Sequence, residues 1–202
     1  NFYSKIPEKL KSAEFLFLAN IDPELQLKVL AQMKKPRLTV MDSMNFWIES
    51  KREQLLKVMS QVDVVLLNDG EARQLMNTPN LVRAARDILA RGCRYVILKK
   101  GEHGAILFYK NDVFAMPSFP LETVKDPTGA GDSFAGGFIG YLAKTGDLSD
   151  QNLRKAVVAG STMASFNVED FSLDRMKNLE IPEIANRFAD FKKLFHFEPI
   201  AF

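Results

Sequence analysis

The residues that invite a chemical reading lie in one run, Asp126-Pro127-Thr128-Gly129-Ala130-Gly131-Asp132-Ser133-Phe134-Ala135-Gly136-Gly137. Gly129 and Gly131 let backbone N–H groups converge where a helix begins, and those groups, with the helix dipole, attract an anion. A carboxylate at Asp132 would compete with that anion unless it has a task of its own. Accepting the proton of a hydroxyl that attacks a phosphoryl group beside those N–H groups is such a task. The alternative is that Asp132 caps the helix, while Ala135, Gly136, Gly137 and Gly140 permit close packing. Two better-known glycine motifs are excluded. The dinucleotide fingerprint needs a third glycine where Phe134 stands, and a Walker A loop needs a lysine that does not follow Gly131.

Three further clusters follow apolar runs. Asn68-Asp69-Gly70-Glu71 comes after Asp63–Leu67. An amide and a carboxylate one helical turn apart at a strand end can hold a hydrated Mg²⁺, or Asn68 can cap a helix with Glu71 in its first turn. Lys99-Lys100-Gly101-Glu102-His103-Gly104-Ala105 comes after Tyr95–Leu98. Strand alternation sends Lys99 and Lys100 to opposite faces, so only one of them can serve a site there. The third cluster is Met41-Asp42-Ser43-Met44-Asn45-Phe46-Trp47, in which Trp47 reads as packing.

The elements that must position these residues alternate two periods. Glu14–Ala19, Arg37–Met41, Asp63–Leu67 and Tyr95–Leu98 read as buried strands. Amphipathic helical stretches lie between them. One has Asp22 as its N-cap and Pro23 in its first turn; another carries Ile48, Leu55, Leu56 and Met59; a third carries Val82, Ala85, Ile88 and Leu89. Strands joined by helical crossovers predict parallel βαβ units, in an α/β, doubly wound sheet covered on both faces. Ala105–Tyr109 and Val113–Met116 flank Lys110-Asn111-Asp112 and predict an antiparallel hairpin at one sheet edge. From Gly129 onward helices are expected over about 130–144, 149–167 and 182–195, with Phe188, Phe191 and Phe195 at core spacing in the last.

The 202 residues hold 27 Lys+Arg against 25 Asp+Glu, a net charge of +2. That field is too weak to predict nucleic-acid or membrane binding. At 47% hydrophobic the chain has the apolar content of a packed core. A single cysteine, Cys93, and two histidines leave no intrachain disulfide and no Cys/His zinc site. The expectation is a cytoplasmic globular protein forming a single domain over 1–202.

The run Asp126–Gly137 resembles, nearly residue for residue, the second signature of the ribokinase-like (PfkB) carbohydrate kinases. The resemblance implies a ribokinase-like fold and ATP-dependent phosphoryl transfer to a hydroxyl of a small carbohydrate. A nucleoside or vitamin-alcohol kinase of the same superfamily and a noncatalytic nucleotide-binding relative are the alternatives. It makes Asp132 the catalytic base and the backbone of Gly129, Ala130 and Gly131 the anion hole. Asn68 and Glu71 resemble the family's Asn-x-x-Glu element, implying contacts to Mg²⁺, in part through water, and to ATP phosphates. Lys99, Gly101 and Gly104 resemble the segment that passes beside the nucleotide, and Gly160 falls on the small-residue helix on the adenine side. Asp126 and Thr128 are implied as contacts for a monovalent cation, K⁺. Val168-Glu169-Asp170-Phe171-Ser172 departs from the family pattern, which has a glycine there. The resemblance covers the C-terminal two-thirds of the family pattern, so the N-terminal strands, the lid and part of the sugar pocket are expected to lie outside the chain. It leaves a homodimer open.

Overall fold

A computed structural model describes residues 5–198. Its elements run β1 (Phe15–Leu18), α1 (Pro23–Leu30), β2 (Leu38–Met41), α2 (Asn45–Ser50), α3 (Arg52–Met59), β3 (Val64–Asn68), α4 (Asp69–Met76), α5 (Leu81–Leu89), β4 (Tyr95–Lys99), β5 (Ala105–Tyr109), β6 (Asp112–Met116), α6 (Ala130–Thr145), α7 (Asp150–Asn167), α8 (Asp174–Lys177) and α9 (Ile181–Leu194). Contacts divide the chain into two compact units, residues 1–100 with 106–114, and residues 101–105 with 115–202.

The first unit is built on the sheet, whose strands lie in the order β1-β2-β3-β4-β5-β6. β1 to β4 pair in parallel, with Phe15 opposite Leu38, Val40 opposite Val64 and Asn68 opposite Lys99. β4 to β6 run antiparallel, as the hairpin reading expects. Leu18, Met41, Val65, Leu67, Val96 and Leu98 face one way and pack on Leu55, Val58, Met59, Leu75, Ala84 and Ile88 from the crossover helices. Val40, Val64, Leu66 and Ile97 point to the other face and are fully buried too. Burial on both faces is why these strands read as continuous apolar runs rather than alternating ones. Each large aliphatic side chain so buried contributes about 1.5–3 kcal/mol.

The crossover helices start where local chemistry says they should. Asp22 Oδ1 accepts the Glu24 N–H at 2.9 Å, with Pro23 at the first helical position of α1. The single helix expected across Ile48 to Met59 is instead two, broken at Lys51 (φ −140°, ψ 41°). The Lys51 ammonium reaches Asp22 at 2.8 Å and Glu24 at 3.0 Å, tying the break to the start of α1.

The second unit is a helical assembly behind a glycine turn. Gly104 has φ +87°, and a Cβ there would lie 2.0 Å from the Met116 carbonyl oxygen, so only glycine fits. α6 and α7 cross at glycines: a Cβ on Gly137 would sit 2.8 Å from Ala159 O, and one on Gly160 would sit 2.7 Å from Phe134 O. α9 docks through Phe191, which is fully buried, and through Arg187, stacked on Phe166 and Phe119 at 3.9 and 4.4 Å and paired with Glu169 at 2.7 Å. Phe188 stacks on Tyr141, whereas Phe195 follows the end of α9 and lies at the surface. Among the described residues no helix is long and apolar enough to cross a membrane.

Candidate active site

In the second unit the site starts at Lys125. Its N–H donates to Val168 O at 2.9 Å and its ammonium pairs with Asp170 at 3.0 Å. Asp126 follows: Oδ1 accepts the Thr128 N–H at 2.9 Å and Oδ2 accepts the Ser172 N–H at 3.2 Å. Donors from Thr128, and then Ser172, hold the Asp126 carboxyl below its ordinary value. The loop before α6 is thereby stitched to the turn after α7. Asn167 completes the stitch. It is 1% exposed, its Nδ2 donates to Ser172 O at 2.8 Å, and its Oδ1 has no partner among the described residues.

This stitching presents the start of α6. Gly129 stands at the N-cap with φ +82° and ψ −1°, and no side chain caps the helix. The Ala130 N–H turns back to Pro127 O at 3.2 Å, and the Gly129 carbonyl accepts from Ser133 at 2.8 Å. The N–H groups of Gly129, Gly131 and Asp132 have no protein acceptor among the described residues. Asp132 is exposed at the third position of α6, and its carboxylate makes no hydrogen bond or ion pair among them. It does not cap the helix. Unpaired N–H donors beside an unpaired carboxylate can hold an anion and take up a proton.

In the first unit the candidate residues gather at the carboxyl ends of β2, β3 and β4, where open parallel sheets bind ligands. Asn68 and Glu71 form a capping box. Asn68 Oδ1 accepts the Glu71 N–H at 2.7 Å, and Glu71 Oε2 accepts the Asn68 N–H at 2.8 Å. The capping alternative is thus realised, and it leaves the second Glu71 oxygen without a hydrogen bond among the described residues. Burial raises the Glu71 carboxyl above its ordinary value, against the Asn68 N–H and the Lys99 charge, which lower it. Lys99, not Lys100, is in an ion pair here: its Nζ lies 2.8 Å from Asp42 Oδ2.

Gly101 and Gly104, in the second unit, bound a short 3₁₀ turn (Gly101–His103). Gly160 is buried against Phe134, so packing alone accounts for its being glycine. Sequence reasoning assigned no role to Asp42 or Asn167. A buried Asp directly after a strand and a buried Asn at a helix end become visible only once burial is known.

The donor sets suit particular cations. Mg²⁺ keeps most of its water and takes one or two carboxylates plus phosphate oxygens, which the free oxygen of Glu71 and the amide oxygen of Asn68 can complement. Among the described residues no three His, Cys, Asp or Glu side chains are grouped as a metal cage. For a monovalent cation the orphaned, buried Asn167 Oδ1 near Gly129 and the Asp126 carboxylate are oxygen donors of the right hardness.

The pfkB family carbohydrate kinase profile matches residues 4–178. The chain belongs to that family of kinases. A cytidine kinase of Thermococcus kodakarensis is 36% identical over 141 residues, 67% of this chain and 50% of that protein. A ribokinase of Lactococcus lactis is 29% identical over 160 residues, 79% of this chain and 50% of that protein. The crystal structure of the Methanocaldococcus jannaschii nucleoside kinase, described as an archaeal member of the ribokinase family, superposes with a TM-score of 0.73 at 28% identity, covering 88% of this chain and 56% of that one. The chain spans about half the length of the curated relatives it matches.

Proposed function

We propose that the protein transfers the γ-phosphoryl group of ATP to a hydroxyl of a small ribose-bearing molecule, a nucleoside in the first instance. One observation carries the reading: at the start of α6 the Asp132 carboxylate and the N–H groups of Gly129 and Gly131 all lack a partner among the described residues. In this mechanism Asp132 accepts the proton of the attacking hydroxyl as the oxygen approaches phosphorus. The N–H groups of Gly129 and Gly131, with the dipole of α6, take the charge that grows on the equatorial oxygens. The Ala130 N–H, engaged by Pro127, is the least available of the three donors in the expected anion hole. The second carboxylate of the loop, Asp126, works differently: its bonds to Thr128 and Ser172 fix the loop, so it holds position while Asp132 handles the proton.

Glu71 and Asn68 would hold Mg²⁺, in part through water, and the ion would neutralise charge on the ATP phosphates. Asp126, Thr128 and Asn167 would hold K⁺, which would supply a fixed positive charge. Lys99, at the end of β4, would add a further positive charge for the phosphates of ATP.

The nucleoside acceptor rests on the cytidine kinase and nucleoside kinase relatives. A free sugar, the first expectation from the sequence, retains support from the ribokinase relative. A panel of nucleosides and free pentoses and hexoses, with ATP and Mg²⁺ and the full-length protein, separates the two. Turnover on cytidine or another nucleoside well above ribose supports the first reading, and the reverse order replaces it with the second. No transfer to any hydroxyl, with ATP bound, would favour a noncatalytic nucleotide binder.

A further inference from the structure

Asp42 and Lys99 form the most enclosed ion pair at the strand ends of the first unit. Their side chains are 7% and 17% exposed, and Oδ2 and Nζ are 2.8 Å apart. Asp42 directly follows β2, Lys99 ends β4, and β3 lies between those strands, so the pair crosses above the end of the strand that carries Asn68.

Asp42 is itself fixed on every side. Its Oδ1 accepts the Ser43 N–H at 2.8 Å, and its carbonyl oxygen accepts Gln26 Nε2 at 3.2 Å. With both carboxylate oxygens engaged, Asp42 is poorly placed to serve as a base. Lys99 is in the opposite condition. An ammonium has three donors, one goes to Asp42, and the side chain keeps some exposure. Buried ion pairs add little net stability, because desolvation offsets the attraction. Stability alone therefore does not explain why this pair is here.

We propose that Asp42 is a positioning residue: it holds the Lys99 ammonium at the carboxyl end of β4, with its remaining donors directed to the β- and γ-phosphates of ATP. This rests on the reading that the chain binds ATP. Without the Asp42 charge, the competing carboxylate is Glu71, held in a capping box with Asn68, the residue directly opposite Lys99 in the β3–β4 pairing. Lys99 would then settle on Glu71, withdrawn from phosphate and neutralising the carboxylate meant for Mg²⁺. The opposing influence is simple repulsion between Asp42 and phosphate, which its removal would relieve. The two influences have opposite signs, so the sign of the change decides between them.

The test is calorimetric titration of Mg-ATP and of AMP, which lacks the β- and γ-phosphates, into wild type, Asp42→Asn, Lys99→Met and the double variant, with folding checked by thermal melts. Each single variant should bind Mg-ATP about tenfold more weakly, the worth of one charge-assisted hydrogen bond, and bind AMP as wild type does. The double variant should lose no more than Lys99→Met alone. If Asp42→Asn does not fold, Asp42→Glu keeps the charge, displaces the ammonium by a methylene, and should show the same split between ATP and AMP. Unchanged or tighter ATP binding by the Asp42 variant overturns the proposal. So do parallel losses for ATP and AMP, or losses that add in the double variant. A wild type that binds no Mg-ATP refutes the functional reading instead.

Discussion

At Asp132 and Glu71 the fold does opposite things to two carboxylates. Asp132 is left in solvent at the third position of α6, without a partner among the described residues. Glu71 is drawn inside, closes a capping box with Asn68, and has its carboxyl raised chiefly by burial. A group whose folded pKa lies above its unfolded one lends stability that is complete below the unfolded value and fades as pH rises through the folded value. Stability should therefore decline as pH climbs above the ordinary 4.5 of this carboxyl. Glu71→Gln should flatten that part of the profile, read from urea midpoints across pH. An unchanged slope in the variant would show that another group is responsible. The same variant should need more Mg²⁺ to saturate with ATP. Asn68 and Glu71 could be named from the sequence because capping and metal binding call for the same residue types at one spacing. Asp42 and Asn167 could not, since their significance lies in a partner across the sheet and in an unpaired buried oxygen.

At the scale of elements, local rules carried far. Strand spans agreed to a residue or so, because both-face burial leaves an unbroken apolar run. The starts of α1 and α6 followed from Asp22-Pro23 and from the glycine turn. What local rules missed was decided at a distance. The break between α2 and α3 coincides with Lys51 reaching the start of α1, and α8 is a four-residue turn too short to leave a period. Gly104 illustrates how an element junction can be both a motif position and a packing constraint. Gly104→Ala would press a methyl into Met116 O and Pro117 and force φ +87° on an L-residue. A loss of at least about 2 kcal/mol is expected from overpacking and backbone strain, read as a fall in the denaturation midpoint. A neutral result would mean that β6 can shift away from the turn.

For the molecule as a whole, Cys93 reports on integrity. It is 5% exposed, and burial pushes its thiol up to about 12. A thiol reagent at pH 8 should leave Cys93 untouched in the native protein and label it fully in denaturant. Rapid labelling of native protein would contradict the packing beneath β4. The family was legible in one run of residues, Asp126–Gly137, whose chemistry and signature coincide. The acceptor was not: the chain spans about half the length of its curated relatives, and those relatives include both a cytidine kinase and a ribokinase. In the proposed mechanism Asp132 takes the proton while the start of α6 holds the phosphoryl group. Transfer of labelled γ-phosphate from ATP by Asp132→Asn, measured beside its ATP affinity in the full-length protein, separates proton removal from nucleotide binding. ATP binding should stay within twofold of wild type, and transfer should slow by about 10²–10⁴-fold. Undiminished transfer in the variant would contradict that mechanism.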